Sequence, residues 1–446
     1  MKVGGRGPLL SAAKFIGPIL AASCGAVHAQ ALTPDITFDP NNTEATSFDR
    51  GENVSVLSRP RPDYQAAGLH LGGFMVYPKV TASLAYDDNI YALQSGAVGD
   101  EIFTIAPEVD FQSTWSRNSL AGYVRAAQNE YFHYASEDTT EYGAGLSGKY
   151  EFGNASSGEA NLTGSLDWGH YALPRSAENT GSQLSKNPIM YDYTALDSEL
   201  SDTFNRLRVS GRVDYQLYDY FNGETPGGDL VFEQGLNHAD TTFTGKAEYA
   251  VSPNTALFLS AAYNLKNYQL SPPAVAYNSN SQGYNIAGGV NFDITHLIRG
   301  EIQLGYLHQQ YVSPLFPDIG GLSAKAQVQW FPTQLTTVTA TALRGVGDSG
   351  IIGSAGFLNT TGGIQVDHEL LRNVILTVNG TGTQNQYFGI SRTDDIWTAG
   401  ASASWLLTRW FGLTLGYTFA DQHSSGAERG PTFTDNRVVL SAVFQR

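Results

Sequence analysis

Long hydrophobic runs are missing from this chain: nowhere in its 446 residues do about 18 apolar side chains follow one another, so helical membrane spans are excluded. Charge is scarce too, at 15% Asp, Glu, Lys and Arg against roughly 25% in an ordinary globular chain. Basic residues are the scarcer sign, 26 against 42 acidic, for a net of −16, which removes nucleic acid from the partners because phosphate binding needs a basic surface. There is one cysteine, Cys24, so no disulfide framework exists. Catalytic spacings are absent as well. The 9 histidines are scattered, with no His-Glu-x-x-His and no pair at metal-ligand spacing. No Gly-x-Ser-x-Gly elbow occurs; Gly347-Asp348-Ser349-Gly350-Ile351 brings its second glycine one residue early and reads as flexible loop, and Gly400-Ala401-Ser402-Ala403-Ser404 lacks it. Gly227-Gly228 leads into no phosphate-binding helix. The expectation is a protein that is not an enzyme and holds no cofactor and no metal.

What is present is glycine (48), tyrosine (24) and phenylalanine (22), at a mean hydropathy of −0.21. So few charges mean that something other than water covers much of the surface. A spanning protein without spanning helices is a closed barrel, because backbone groups left unpaired in hydrocarbon are too costly.

The first 29 residues read as an export signal. Lys2, Arg6 and Lys14 supply positive charge, residues 15–22 a short apolar core, and Val27-His28-Ala29 a small-residue cleavage site that leaves Gln30 first. Cys24 invites a lipoprotein reading, but Ala21 stands where a bulky aliphatic belongs. Removal of this segment takes away three basic residues and moves the net charge to −19. Residues 30–71 hold Pro34, Asp35, Asp39, Pro40, Asn41 and Asn42, then Arg59-Pro60-Arg61-Pro62-Asp63. Without an apolar period, this stretch reads as an extended periplasmic arm, too short for a plug domain.

From residue 72 to 446 the chain alternates apolar and polar in segments of roughly 9 to 14 residues, as strands do with one face in lipid and the other in a wet lumen. The clearest segment is Trp397, Ala399, Ala401, Ala403, Trp405. Eight residue steps cover roughly 27 Å, or about 21 Å along the membrane normal at a tilt near 40°, which places the two tryptophans as an aromatic girdle at the two interfaces. On the polar faces, and therefore toward the lumen, fall Lys149 and Glu151, then Arg208, Arg212 and Asp214, then Lys246 and Glu248. Lys266, Glu301, Lys325, Asp367 and Glu369 join them. In the lumen these mixed signs either pair across the wall or set a transverse field that filters solutes.

A soluble β-sandwich or propeller also alternates, and the connections decide between them. Short turns at 116–118, 153–156, 205–206, 252–254, 294–297, 332–333, 372–373 and 408–410 alternate with long polar loops at 87–99, 133–138, 172–188, 222–235, 271–282, 313–319, 345–355, 389–393 and 422–431. Tight turns on the periplasmic side and loops outside are the asymmetry of an outer-membrane barrel. The fold expected is all-β, a closed antiparallel transmembrane barrel of about 18 strands; weak segments at 102–115 and 335–343 leave 16 as the alternative. The loops carry Glu178, Glu224, Asp229, Phe232, Glu233 and Asp421, whose aromatic neighbours either stack on sugars or fold inward over the pore. Val438, Leu440, Ala442 and Phe444 alternate in a final strand of the kind that barrel-assembly machinery recognises, with the aromatic displaced by Gln445 and Arg446.

Arg59-Pro60-Arg61-Pro62-Asp63-Tyr64, Gly72-Gly73-Phe74-Met75-Val76-Tyr77-Pro78 and Tyr86-Asp87-Asp88-Asn89-Ile90-Tyr91 together resemble the start of the family called putative β-barrel porin 2. The resemblance implies an outer-membrane barrel, often tied to exopolysaccharide production, and brings no agreed binding residues. Asp87 and Asp88 could hold a cation, yet two carboxylates beside Asn89 after a strand are more simply turn formers. The function expected is therefore a channel or secretion pore in the cell outer membrane, for exopolysaccharide export or small-solute passage; the alternative is a structural or adhesive barrel whose loops close the lumen. The partners expected are outer-membrane lipid and lipopolysaccharide, the assembly machinery and polysaccharide. Oligomeric state is not written in the sequence.

Overall fold

A computed structural model describes residues 53–446 except 153–159, 177–179, 296, 352 and 355. The export signal, residues 30–52, the 153–156 turn and Glu178 lie outside the described residues. Eighteen long strands follow one another: β1 (Phe74–Asp87), β2 (Asp100–Ser113), β3 (Ser119–Tyr131), β4 (Thr139–Phe152), β5 (Ala160–Ala172) and β6 (Met190–Phe204). Next come β7 (Leu207–Tyr220), β8 (His238–Ser252), β9 (Thr255–Tyr268), β10 (Ser281–Ile294), β11 (Ile298–Tyr311) and β12 (Ile319–Thr333). The last six are β13 (Thr336–Gly347), β14 (Gly356–Leu371), β15 (Val374–Phe388), β16 (Thr393–Leu406), β17 (Phe411–Ser425) and β18 (Phe433–Gln445).

Each strand pairs antiparallel with its neighbours in sequence, and β1 pairs with β18 from Lys79↔Gln445 to Asp87↔Arg437, so the sheet closes and no edge remains. Both weak segments are full strands, and the count is 18. Two-residue turns close several hairpins at one end, as at Asn205, whose φ of 56° is the left-handed conformation that asparagine tolerates. Nine longer connections leave the other end. The β17–β18 hairpin is taller than its composition suggests: β17 runs to Ser425, so Asp421 is a strand residue rather than a loop residue.

One side-chain set of each strand faces out and is apolar, as with Leu146, Leu166, Leu259, Ile286, Ile364 and Leu440, all exposed. The complementary set is polar and more buried. Trp397 and Trp405 stand outward at the two ends of β16. Burial of polar residues inside a cylinder of exposed apolar ones inverts the usual globular arrangement, and suits a protein whose solvent is hydrocarbon.

Residues 53–67 differ from the extended arm expected. They form two turns seated inside the mouth at the tight-turn end, with Val56 fully buried against Ile375 and Leu406. Thr337 Oγ1 accepts the Val56 amide at 2.9 Å, and the Asn53 carbonyl accepts from Arg299 at 3.0 Å. A three-residue strand, Leu69–Leu71, then pairs with the start of β1. The displaced end of β18 has a use here, since the Gln445 amide donates to the Tyr64 carbonyl at 3.4 Å.

Candidate functional site

The lumen collects polar chemistry, and strand parity delivers it. Arg208, Arg212 and Asp214 alternate along the inward face of β7, with Asp197 and Glu199 beside them on β6. Arg212 binds Asp197 and, at 3.1 Å, Asp214; Gln216 donates to Asp214 at 3.0 Å, and the Tyr218 hydroxyl to Gln216 at 2.7 Å. Arg208 reaches Glu199 at 3.3 Å. Lys246 lies 3.2 Å from its own strand's Glu248 and 3.1 Å from Glu301, three strands away on β11, with its ammonium 4.0 Å above the Phe258 ring. That span is direct evidence of a shared interior. Lys149 pairs with Glu151 at 2.7 Å, and Lys325 stands on the inward face of β12. Asp367 is buried with neutral donors, Gln365 and Thr377. Pairs as exposed as Lys149–Glu151 contribute about 0–1 kcal/mol each, so the ladder shapes the field of the lumen more than the stability of the wall.

Two further features constrict the cylinder, and neither was visible as a period. At the loop end, Asp348, in the connection read from sequence as flexible, reaches Lys266 on β9, which Asp240 also binds at 3.0 Å, and His238 Nε2 stands 3.9 Å from the Asp348 carboxylate. This loop leaves β13 and is tacked to strands four and five places away, so it crosses the mouth. Tyr311, Phe316 and Ile319 form a small apolar core beside it, with Tyr277 and Phe388. At the opposite end Glu369 gathers three guanidinium groups from Arg59, Arg61 and Arg372 at 3.0, 2.8 and 3.4 Å. Arg61 is fully buried, and that burial pulls its guanidinium below the ordinary value while Glu369 opposes the shift. The signal for both was the charged residue itself; its partner lay too far along the chain to be read.

Among the described residues three acidic clusters have metal-like spacing, and most of their carboxylates are already hydrogen-bonded or ion-paired. Lys266 fills the centre of His238, Asp240 and Asp348. Asp87 accepts the Asn89 amide, and Asp88 accepts both the backbone and side-chain nitrogens of Asn436, which makes them fasteners of the turn and of the seam. Asp100 receives the His133 and Tyr134 amides and, at 2.7 Å, His133 Nδ1. This side-chain bond and the carboxylate charge raise the His133 imidazole above its ordinary value. A raised folded value gives a contribution that is complete below the ordinary imidazole range and lost as pH climbs through the raised one. Hydrogen-exchange protection of residues 132–138, corrected for intrinsic rate, is expected to fall across that window, and His133→Ala to abolish the step.

The loop residues are placed variously. Glu224 and Leu230 pair in a two-residue hairpin turned by Gly228 at φ 88°; Asp229 lies in that turn, Phe232 is exposed and Glu233 buried.

A search of curated proteins gives no match. Among solved structures the chain is similar to OccK2 (OpdF) of Pseudomonas aeruginosa, at 11% identity over 83% of this chain and 98% of that one, TM-score 0.43. It is similar to the siderophore receptor PiuA of Acinetobacter baumannii, at 10% over 85% and 82%, TM-score 0.43, and to the outer membrane protein opdK of P. aeruginosa, at 12% over 83% and 99%, TM-score 0.41. A family model matches residues 61–446, which takes in all eighteen strands of the barrel and part of the arm before it. The chain belongs to the family described as putative beta-barrel porin 2, and it is an outer-membrane porin-like barrel.

Proposed function

We propose that the protein is a conducting channel for polar solutes, with exopolysaccharide export as one use of the same lumen. The observation that carries this is the Lys246–Glu301 contact and the ladder around it. The interior is lined with charged groups, several of them still partly exposed to the lumen, as a water-filled pore requires. The outward belt is read as meeting lipid and lipopolysaccharide, and β18 as the strand that assembly machinery engages. Transport rather than catalysis fits a wall most of whose charged groups pair with one another.

The tacked loop favours a second reading, in which the lumen is closed and the exposed segments do the work. Planar-bilayer recordings separate the two. The channel reading expects discrete conductance steps from the purified protein and larger steps from Asp348→Ala, which frees the loop. Silence from both proteins, with the barrel intact on a gel, sinks it; steps only from Asp348→Ala select the closed barrel.

A further inference from the structure

Not all inward charges are spent. On β3, β4 and β5 the register stacks three rows on the lumen wall: Tyr123–Gly145–Asp167 near mid-height, then Arg125–Gly143–Gly169, then Glu141 beside Tyr171, which pairs on to Tyr191 and Tyr220. The glycines decide how the rings lie. A Cβ on Gly169 would sit 2.3 Å from the Tyr171 ring, and one on Gly145 2.4 Å from the Tyr123 ring, so each ring lies over backbone that any larger residue would fill. Between them lies the exposed Arg125 guanidinium, 5.0 and 5.8 Å from the two ring centres, donating to the Tyr171 hydroxyl at 2.9 Å. Tyr123 donates to Asp167 at 3.0 Å, and Glu141 accepts only the Ala172 amide, at 3.2 Å. Among the described residues Arg125, Asp167 and Glu141 form no ion pair, unlike the ladder on β6 to β8.

We infer that this glycine-floored platform is a binding site for a neutral pyranose sugar. The inference rests on the channel reading and names the class of solute. A pyranose offers an apolar C–H face to a flat aromatic ring and a rim of hydroxyls that both donate and accept. Arg125 supplies donors, Asp167 and Glu141 supply acceptors, and the two signs together favour neither a free anion nor a free cation. Tyr191 and Tyr220, stacked on each other with centres 5.4 Å apart, continue the row of rings beyond Tyr171, whose centre is 6.0 Å from that of Tyr191.

Saturation-transfer NMR on the detergent-solubilised full barrel tests this without requiring conductance. The probes are neutral gluco-, manno- and galacto-tetraoses, with a polyethylene glycol of matched size and a galacturonate tetramer as controls. Transfer to sugar C–H protons is expected from at least one neutral tetraose and not from the glycol. Tyr171→Ala should weaken it about tenfold, Tyr171→Phe far less, and Gly169→Val, which lifts the ring off the wall, as much as Tyr171→Ala. No transfer from any neutral sugar, a galacturonate signal stronger than all of them, or a Tyr171→Ala barrel that is folded on the gel yet binds normally overturns the site. Conductance of the same preparation is read separately: sugar binding by a silent barrel keeps the site and discards the channel, and conductance without binding does the reverse.

Discussion

Ala401→Arg is expected to lower sharply the fraction of protein in the heat-modifiable, folded form, while Ser402→Arg, one residue on, leaves it unchanged. Ala401 lies midway between Trp397 and Trp405 on the outward face of β16, so an arginine there meets hydrocarbon at its deepest, at a cost of roughly 2–4 kcal/mol. That is a large fraction of the 5–15 kcal/mol that holds a typical domain together. Ser402 points the other way, beside a polar interior where a guanidinium finds water and acids. The measurement is the fraction of each variant that migrates as folded barrel without boiling, after refolding into lipid. Equal loss from both variants would mean that β16 does not separate lipid from lumen, and the inward assignment of every charge described above would go with it.

Glu369→Ala carries the second large effect. The wild-type carboxylate faces Arg59, Arg61 and Arg372, and Arg61 is fully buried. Removing one partner of a buried pair costs about 3–5 kcal/mol because the remaining charge is stranded. Here the strand wall cannot respond, but the arm can leave, so the expected outcome is release of residues 53–67 from the mouth with the barrel still folded. Proteinase K should then shorten the folded protein from its N-terminal side, and single-channel steps should grow. Trypsin is the wrong probe, since Arg59 and Arg61 each precede a proline. An arm that stays resistant in Glu369→Ala would show that Val56, Ile375 and Leu406 hold it without help from charge.

The two variants also mark where sequence reading works and where it stops. Ala401 and Ser402 were assignable from composition alone, because lipid and lumen water impose a period of two that no neighbouring contact overrides. Tight turns such as Asn205-Arg206 told one end from the other. Arg61 carried no such period. Its partner lies 308 positions away, and only the closed cylinder brings the two together. The arm's docking was thus misread as extension, although the lone Val56 and the proline-stiffened Arg-Pro-Arg-Pro run were the hints available. Asp348 was hidden for the same reason. The platform around Arg125 was hidden by a subtler one: glycine in a strand looks like weakness until the register shows whose ring lies upon it.

The arm's seat has a temporal side. Thr337, Glu369, Ile375, Leu406 and Gln445 all belong to the last six strands, so an arm that precedes β1 has no berth until strands near the far end of the chain are in place. Contacts this distant along the chain form late. Occupancy of that berth therefore reports that the last third of the wall has been laid down, and a barrel stalled before β16 would lack the Leu406 side of the seat.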